Sequence, residues 1–180
     1  MPPLIQFVNP IRIEKLTRIF KIRGVDIYFH WSVLVISGLI LLNVARHPGL
    51  TLIGLAAWLG VLLIHETGHL IAAHRVGCSV FSIEIYPIYG ICRFEAPRSR
   101  FDHCIIAWGG VLAQLAIAGP LVLWVVVFGY SEIVGIDIVF AILGFFSVGV
   151  AIFNLLPIPP LDGATAWALV PALFPRKWMR

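Results

Sequence analysis

Long apolar runs, separated by short breaks rich in glycine, proline or charge, dominate the 180-residue chain. The first run begins near His30 and ends near Val44, ahead of "ARHPG". It is short against the roughly 20 residues that a helix needs to cross a bilayer. A second run covers 50–76 and closes at "RVG", a basic residue followed by a helix-stopping glycine. Residues 103–129 and 133–156 form a third and a fourth. Between the second and third lies "SVFSIEIYPIYGICRFE", rich in β-branched and aromatic residues and partly alternating, with Pro87 and Gly90 at a turn. That pattern predicts a β-hairpin. Ahead of the first run, residues 11–23 mix apolar and basic positions, which suits an interfacial segment on an anionic leaflet or a basic topology anchor. "GVDIYF" then reads as a short extended piece. After the fourth run comes a proline-rich break, followed by "GATAWALVPALF", too short to span.

The predicted class is therefore mainly α, a polytopic membrane protein. It has about four transmembrane helices, a membrane-associated β-hairpin and a short C-terminal re-entrant or interfacial helix. A single domain over 1–180 is expected: a basic or interfacial segment at 1–29, a core at 30–163, and a short helix with a basic tail at 164–180.

Composition strengthens the membrane reading. The chain is 60% hydrophobic and 12% charged, with a mean hydropathy of +0.97. Soluble domains carry about 25% charged residues, and one this apolar would expose large sticky patches. Basic residues cluster in the N-terminal segment, in the loop from Arg75 to Asp102 and in the tail, whereas the opposite turns hold only Arg46. Four spans put all the basic segments on one side, the cytoplasmic one by the positive-inside rule. "MPPLIQFV" makes a poor signal peptide. Cys78, Cys92 and Cys104 form no CxxC pair and read as small core residues.

Against this background "VLLIHETGHLIAA" stands out, because it places three polar groups inside the second apolar run. His65 and His69 are four positions apart, about 40° of rotation on a helix, so both imidazoles share a face. Two neutral imidazoles so placed suit Zn²⁺. Glu66 projects about 100° away, an awkward ligand but within reach of a metal-bound water. This is the HExxH pattern of zinc proteases, with the glutamate as general base. A chance match is the alternative, but ionisable groups in a span are costly and usually functional. A catalytic site fits better than a structural one, which would want four protein ligands, often thiolates.

A third ligand is needed. His74 faces elsewhere, His30 and His103 sit at span starts, and Glu84 and Glu95 belong to the hairpin. Asp102, Glu132 and Asp137 flank spans. Asp162 differs: it follows Pro157, Pro159 and Pro160 in "NLLPIPPLDGATAW", and broken backbone at membrane depth is tolerated where it lines a cavity. The other reading of Asp162 is an N-cap of the following helix, and the two roles can coexist.

"HETGH" at 65–69 and "NLLPIPPLDG" at 154–163, about a hundred residues apart in two apolar spans, resemble the site-2 protease family of intramembrane zinc metalloproteases. The resemblance runs from "GVDIYFHW" to "LDG". It implies His65, His69 and Asp162 as ligands of one zinc ion and Glu66 as catalytic base. It also implies Asn154 as a second catalytic group that positions substrate or assists the oxyanion. The hairpin looks like the family's membrane-associated β element, whose free edge would pair with an unwound substrate. In the third span the family often has a GPxxN-like element; here the chain reads "GGVLAQ", with Gly110 at the proline's place and Gln114 at the asparagine's. The "GG" also suits close helix packing. No space remains between hairpin and third span for a PDZ-type insert, so a minimal core is expected.

The implied activity is intramembrane endopeptidase cleavage of membrane-anchored proteins, as in regulated intramembrane proteolysis. The partners are a transmembrane protein substrate and the lipid bilayer, with no nucleic acid. Three other readings fit less well. A non-catalytic adaptor for transmembrane helices would be marked by a lost base or ligand. A metal transporter would need polar residues spaced through several spans. A CaaX-type protease would use a glutamate as third ligand, and none follows Glu132.

Overall fold

A computed structural model describes residues 16–22, 24–42 and 46–169 of the chain. Four strands and five helices follow in order: β1 (Leu16–Ile22), β2 (Val25–His30), α1 (Trp31–Leu41), α2 (Pro48–Arg75), β3 (Val80–Ile85), β4 (Gly90–Phe94), α3 (Arg100–Phe128), α4 (Val134–Asn154) and α5 (Gly163–Ala166).

The sheet has the order β1-β2-β3-β4. The expected hairpin is present as β3–β4, and "GVDIYF" is extended as β2. Within the basic stretch, residues 16–22 form a strand. Gly24, at φ +86°, makes the tight turn into the antiparallel partner β2. Arg18 and Lys21 then flank Asp26 across the ladder at 3.5 Å each. Residues 1–15 and the basic tail within 170–180 lie outside the described residues.

β2 and β3 pair in parallel, joined by α1 and α2. The chain therefore leaves the sheet along α1 and returns to it along α2, so both strands lie at one end of the helices. Val25 and Ile27 of β2 and Ile83 and Ile85 of β3 pack against Val33, Leu62 and Leu70 to form the core beneath the sheet.

Three helices are long and apolar enough to cross a membrane: α2, α3 and α4. The first expected span is the 11-residue α1, about 16 Å at 1.5 Å per residue and shorter than a hydrocarbon core of about 30 Å. Pro48 starts α2 at a position where its missing N–H costs nothing. Gly77, at φ +78°, ends it, with Cys78 N–H donating to Ala73 O and Gly77 N–H to His74 O, a Schellman cap. Ser99 caps α3 by accepting from Asp102 N–H at 3.0 Å. α4 is an α-helix interrupted by a π segment, Phe140–Phe146.

α2 and α3 meet backbone to backbone. A Cβ on Gly68 would strike the Gly109 carbonyl, and one on Gly109 would lie 2.6 Å from both Ala72 Cβ and Gly68 O. Small residues allow this approach, which gives Gly109 of the "GG" pair its packing role.

Candidate metal centre

α2 carries His65, Glu66 and His69 in its second half, at 8%, 3% and 8% exposure. His69 lies six residues before the end of α2, about 9 Å along the axis from the sheet end. Asp162 reaches the histidines from the far side of the chain. Its Oδ2 lies 3.0 Å from His65 Nε2 and 3.3 Å from His69 Nε2, while the two Nε2 atoms are 3.0 Å apart. The alternative role for Asp162 is not seen: it precedes α5 but makes no side-chain capping bond.

The segment holding Asp162 is fixed by several contacts. Trp167 Nε1–H donates to Leu155 O at 2.6 Å and Trp108 Nε1–H to Ala166 O at 3.1 Å. Cys104 S–H donates to Thr165 O at 3.1 Å. Gly163 leaves no space for a side chain, because a Cβ would collide with the Leu155 and Leu156 carbonyls. The proline-rich break is thus folded back on the end of α4 and tied to α3.

The tautomers follow from the partners. His69 Nδ1–H donates to the Ile106 main-chain carbonyl at 2.7 Å, and His65 Nδ1–H donates to Gln114 Oε1 at 2.8 Å. Both Nε2 atoms therefore present lone pairs. Asp162 Oδ2 is buried without a hydrogen-bond partner. With both rings neutral, three acceptors converge, an arrangement that repels itself unless a metal cation or a proton sits between. Their separations also suit zinc: bonds of about 2.0–2.1 Å in a tetrahedron put ligand atoms about 3.3 Å apart. His65, His69 and Asp162 could thus hold a metal ion. Gly110 makes space for the ring pair, since a Cβ there would lie 2.7 Å from His65 Cε1.

Glu66 lies beside the edge strand. A Cβ on Gly90 of β4 would overlap the Glu66 carboxyl group. Burial, and then the nearby Glu66, push the Cys92 thiol well up from its ordinary value. Next along the sheet, buried Glu84 accepts from both Arg93 Nε–H and Nη2–H, the latter at 3.0 Å. This bond holds the guanidinium above its usual pKa.

The remaining candidates lie apart. Asn154 ends α4, half-buried, and among the described residues makes no hydrogen bond to His65, Glu66, His69 or Asp162. His74 and His103 are exposed, and His30 caps α1 by accepting from Ser32 N–H at 3.3 Å. Glu132 is exposed, and Asp137 accepts from Ser131 N–H at 2.8 Å. Sequence reasoning missed the roles of Gly90, Gly110, the Ile106 carbonyl and Ser147, and it left Gln114 as an amide without a partner. A lone glutamine facing the HExxH helix was the available signal.

Two histidines and an aspartate that could hold a metal ion thus lie beside a glutamate in a chain with three helices, among the described residues, that are long and apolar enough to cross a membrane. The chain shares the fold of a site-2 protease and is similar in sequence to zinc metalloproteases. Its fold matches the site-2 protease from Methanocaldococcus jannaschii with a TM-score of 0.69 and 21% identity, over 91% of this chain and 73% of that one. Two relatives are similar in sequence. "Putative zinc metalloprotease sll0528" of Synechocystis is 30% identical over 166 residues, 81% of this chain and 41% of its own. "Putative zinc metalloprotease Rip3" of Mycobacterium tuberculosis is 30% identical over 161 residues, 79% of this chain and 40% of its own. The chain thus spans about two fifths of the length of these curated relatives. No protein-family model matches it.

Proposed function

We propose that this chain is an intramembrane zinc endopeptidase that hydrolyses peptide bonds in or near transmembrane segments of membrane-anchored proteins, as in regulated intramembrane proteolysis. His65, His69 and Asp162 hold the zinc, Glu66 is the general base, and Asn154 assists the oxyanion or positions substrate. The single domain over 1–180 is the catalytic unit. The observation that carries the reading is the convergence of three buried acceptors beside a buried glutamate, in a helix otherwise made for lipid.

Zinc, when bound, polarises the attacking water and the scissile carbonyl. Glu66 takes a proton from that water and delivers it to the leaving amine. The peptide bond of a membrane helix is shielded by its own hydrogen bonds, so substrate must be unwound first. β4 is one of the two edge strands, and among the described residues nothing pairs with its outer side. An unwound segment added there would run past Glu66, because Gly90 brings the β4 backbone against that carboxyl group. The adaptor reading calls for a lost base or ligand, and none is lost here.

Arg18, Lys21, Arg75, Arg93, Arg98 and Arg100 lie on or next to the sheet or in the loop beside it, whereas Arg46 precedes α2 at the other end. This bias favours a cytoplasmic sheet and water entry from that side. The test uses purified full-length chain in detergent and a panel of transmembrane-segment peptides read by mass spectrometry. Wild type is expected to cleave at least one peptide. Glu66→Gln is expected to keep about one zinc per chain and to lose cleavage by about 10²–10⁴-fold. Matched cleavage by both proteins would rule out Glu66 as the base.

A further inference from the structure

The two histidines are oriented by different means. His69 Nδ1–H meets a main-chain carbonyl, an acceptor that no substitution of Ile106 side-chain atoms removes. His65 Nδ1–H meets the Gln114 amide, whose two ends are alike in shape and opposite in hydrogen bonding. Turned over, the amide would offer N–H to Nδ1. The imidazole proton would then sit on Nε2, and no lone pair would face Asp162.

Something must hold the amide the right way round. Gln114 is wholly buried, so bulk water plays no part. Its Nε2–H faces Ser147 Oγ at 3.4 Å, and Ser147 is itself 2% exposed. Ser147 is the first residue after the π segment of α4. The wider π turns rotate the chain by less per residue than an α-helix would, and the residue that follows them presents its hydroxyl to α3.

We infer that Gln114 is a positioning residue: it fixes the tautomer and ring orientation of His65 so that Nε2 is free for the metal, and Ser147 keeps its amide from turning over. The inference rests on the zinc reading above. Groups bonded to the far nitrogen of a metal-binding histidine typically govern affinity by about 10–100-fold. The centre then depends on α4 in two ways, through Ser147 and through the chain segment that delivers Asp162. A glutamine that merely filled space between helices would need no oxygen aimed at a histidine.

The experiment measures zinc affinity of the full-length chain in detergent by competition with a chelating dye. Cobalt(II) absorption is recorded as a second readout, with helical content and melting as controls. The proteins are wild type, Gln114→Met, Gln114→Glu and Ser147→Ala. Gln114→Met keeps the volume and removes the acceptor, so about a 10–100-fold weaker affinity and an altered cobalt spectrum are expected. Gln114→Glu still accepts from Nδ1–H and is expected to bind at least as tightly as wild type. Ser147→Ala is expected to lose less than Gln114→Met. Wild-type affinity in a folded Gln114→Met overturns the inference, as does a Gln114→Glu as weak as Gln114→Met. Should Gln114→Met not fold, tight binding in Gln114→Glu with weaker binding in Ser147→Ala supports it, and any other pairing overturns it. Zinc missing from wild type would instead sink the metal reading, and this inference with it.

Discussion

The two halves of α3 belong to one continuous helix and live in different surroundings. From Arg100 to Ala118 the helix buries Cys104, Ile106, Ala107, Gly110, Val111, Gln114 and Ala118 against the rest of the protein. From Gly119 to Phe128 it buries only Val125, and Leu123, Trp124, Val126, Val127 and Phe128 are exposed. The near half uses small and polar residues because its neighbours are backbone, imidazole and hydroxyl groups. The far half uses bulky ones because its neighbour is lipid, which any large apolar side chain satisfies. The near half carries Arg100, Asp102, His103 and Gln114, whereas the far half has no charged, imidazole or amide side chain.

Substitutions can break or sharpen this contrast. The largest effect should come from removing a donor: Asp162→Ala is expected to drop bound zinc from about one per chain to near zero, read by metal analysis of the purified protein. Next is Gly90→Val, which puts a side chain where Glu66 lies. Moving β4 off the base by about 1 Å is expected to cost about 10²-fold in cleavage rate with zinc retained. A third test compares two glycines of the same helix. Gly109→Ala forces a Cβ into Ala72 and Gly68 and should destabilise by about 1–3 kcal/mol. Gly119→Ala, with open space around it, should be neutral or stabilising by up to about 1 kcal/mol. Equal unfolding midpoints for the two variants would erase the distinction between the halves. The smallest effect is Val127→Leu on the lipid face, expected to shift stability by less than about 0.5 kcal/mol in the same denaturation assay.

Much of this was legible from local signals. The two histidines and the glutamate share one helical turn, so spacing alone places them. Asp162 was marked by the prolines that break the fourth apolar run. The β3–β4 hairpin was marked by alternation around a proline–glycine turn. What stayed hidden depended on pairing across the chain. Leu16–Ile22 mixes apolar and basic residues, and only its partner β2 makes it a strand. The bond from His65 to Gln114 joins residues 49 positions apart, and no spacing rule within one helix predicts it. Gly90 was read as a turn former, while its lack of a side chain also admits the Glu66 carboxyl group. The first span ended after 11 residues, a boundary that apolar content does not mark.

The crossing of Gly68 and Gly109 has a mechanical consequence. Two rods whose backbones come nearest at one crossing rock about it, and displacement grows with distance from that crossing. His69 adjoins Gly68, and Gly110, whose bare Cα borders both imidazoles, adjoins Gly109. The His65 and His69 rings therefore sit at almost no lever arm, while the start of α2 is about 30 Å away. A tilt of α3 on α2 by a few degrees moves the helix tips by more than an ångström and barely displaces the histidine pair.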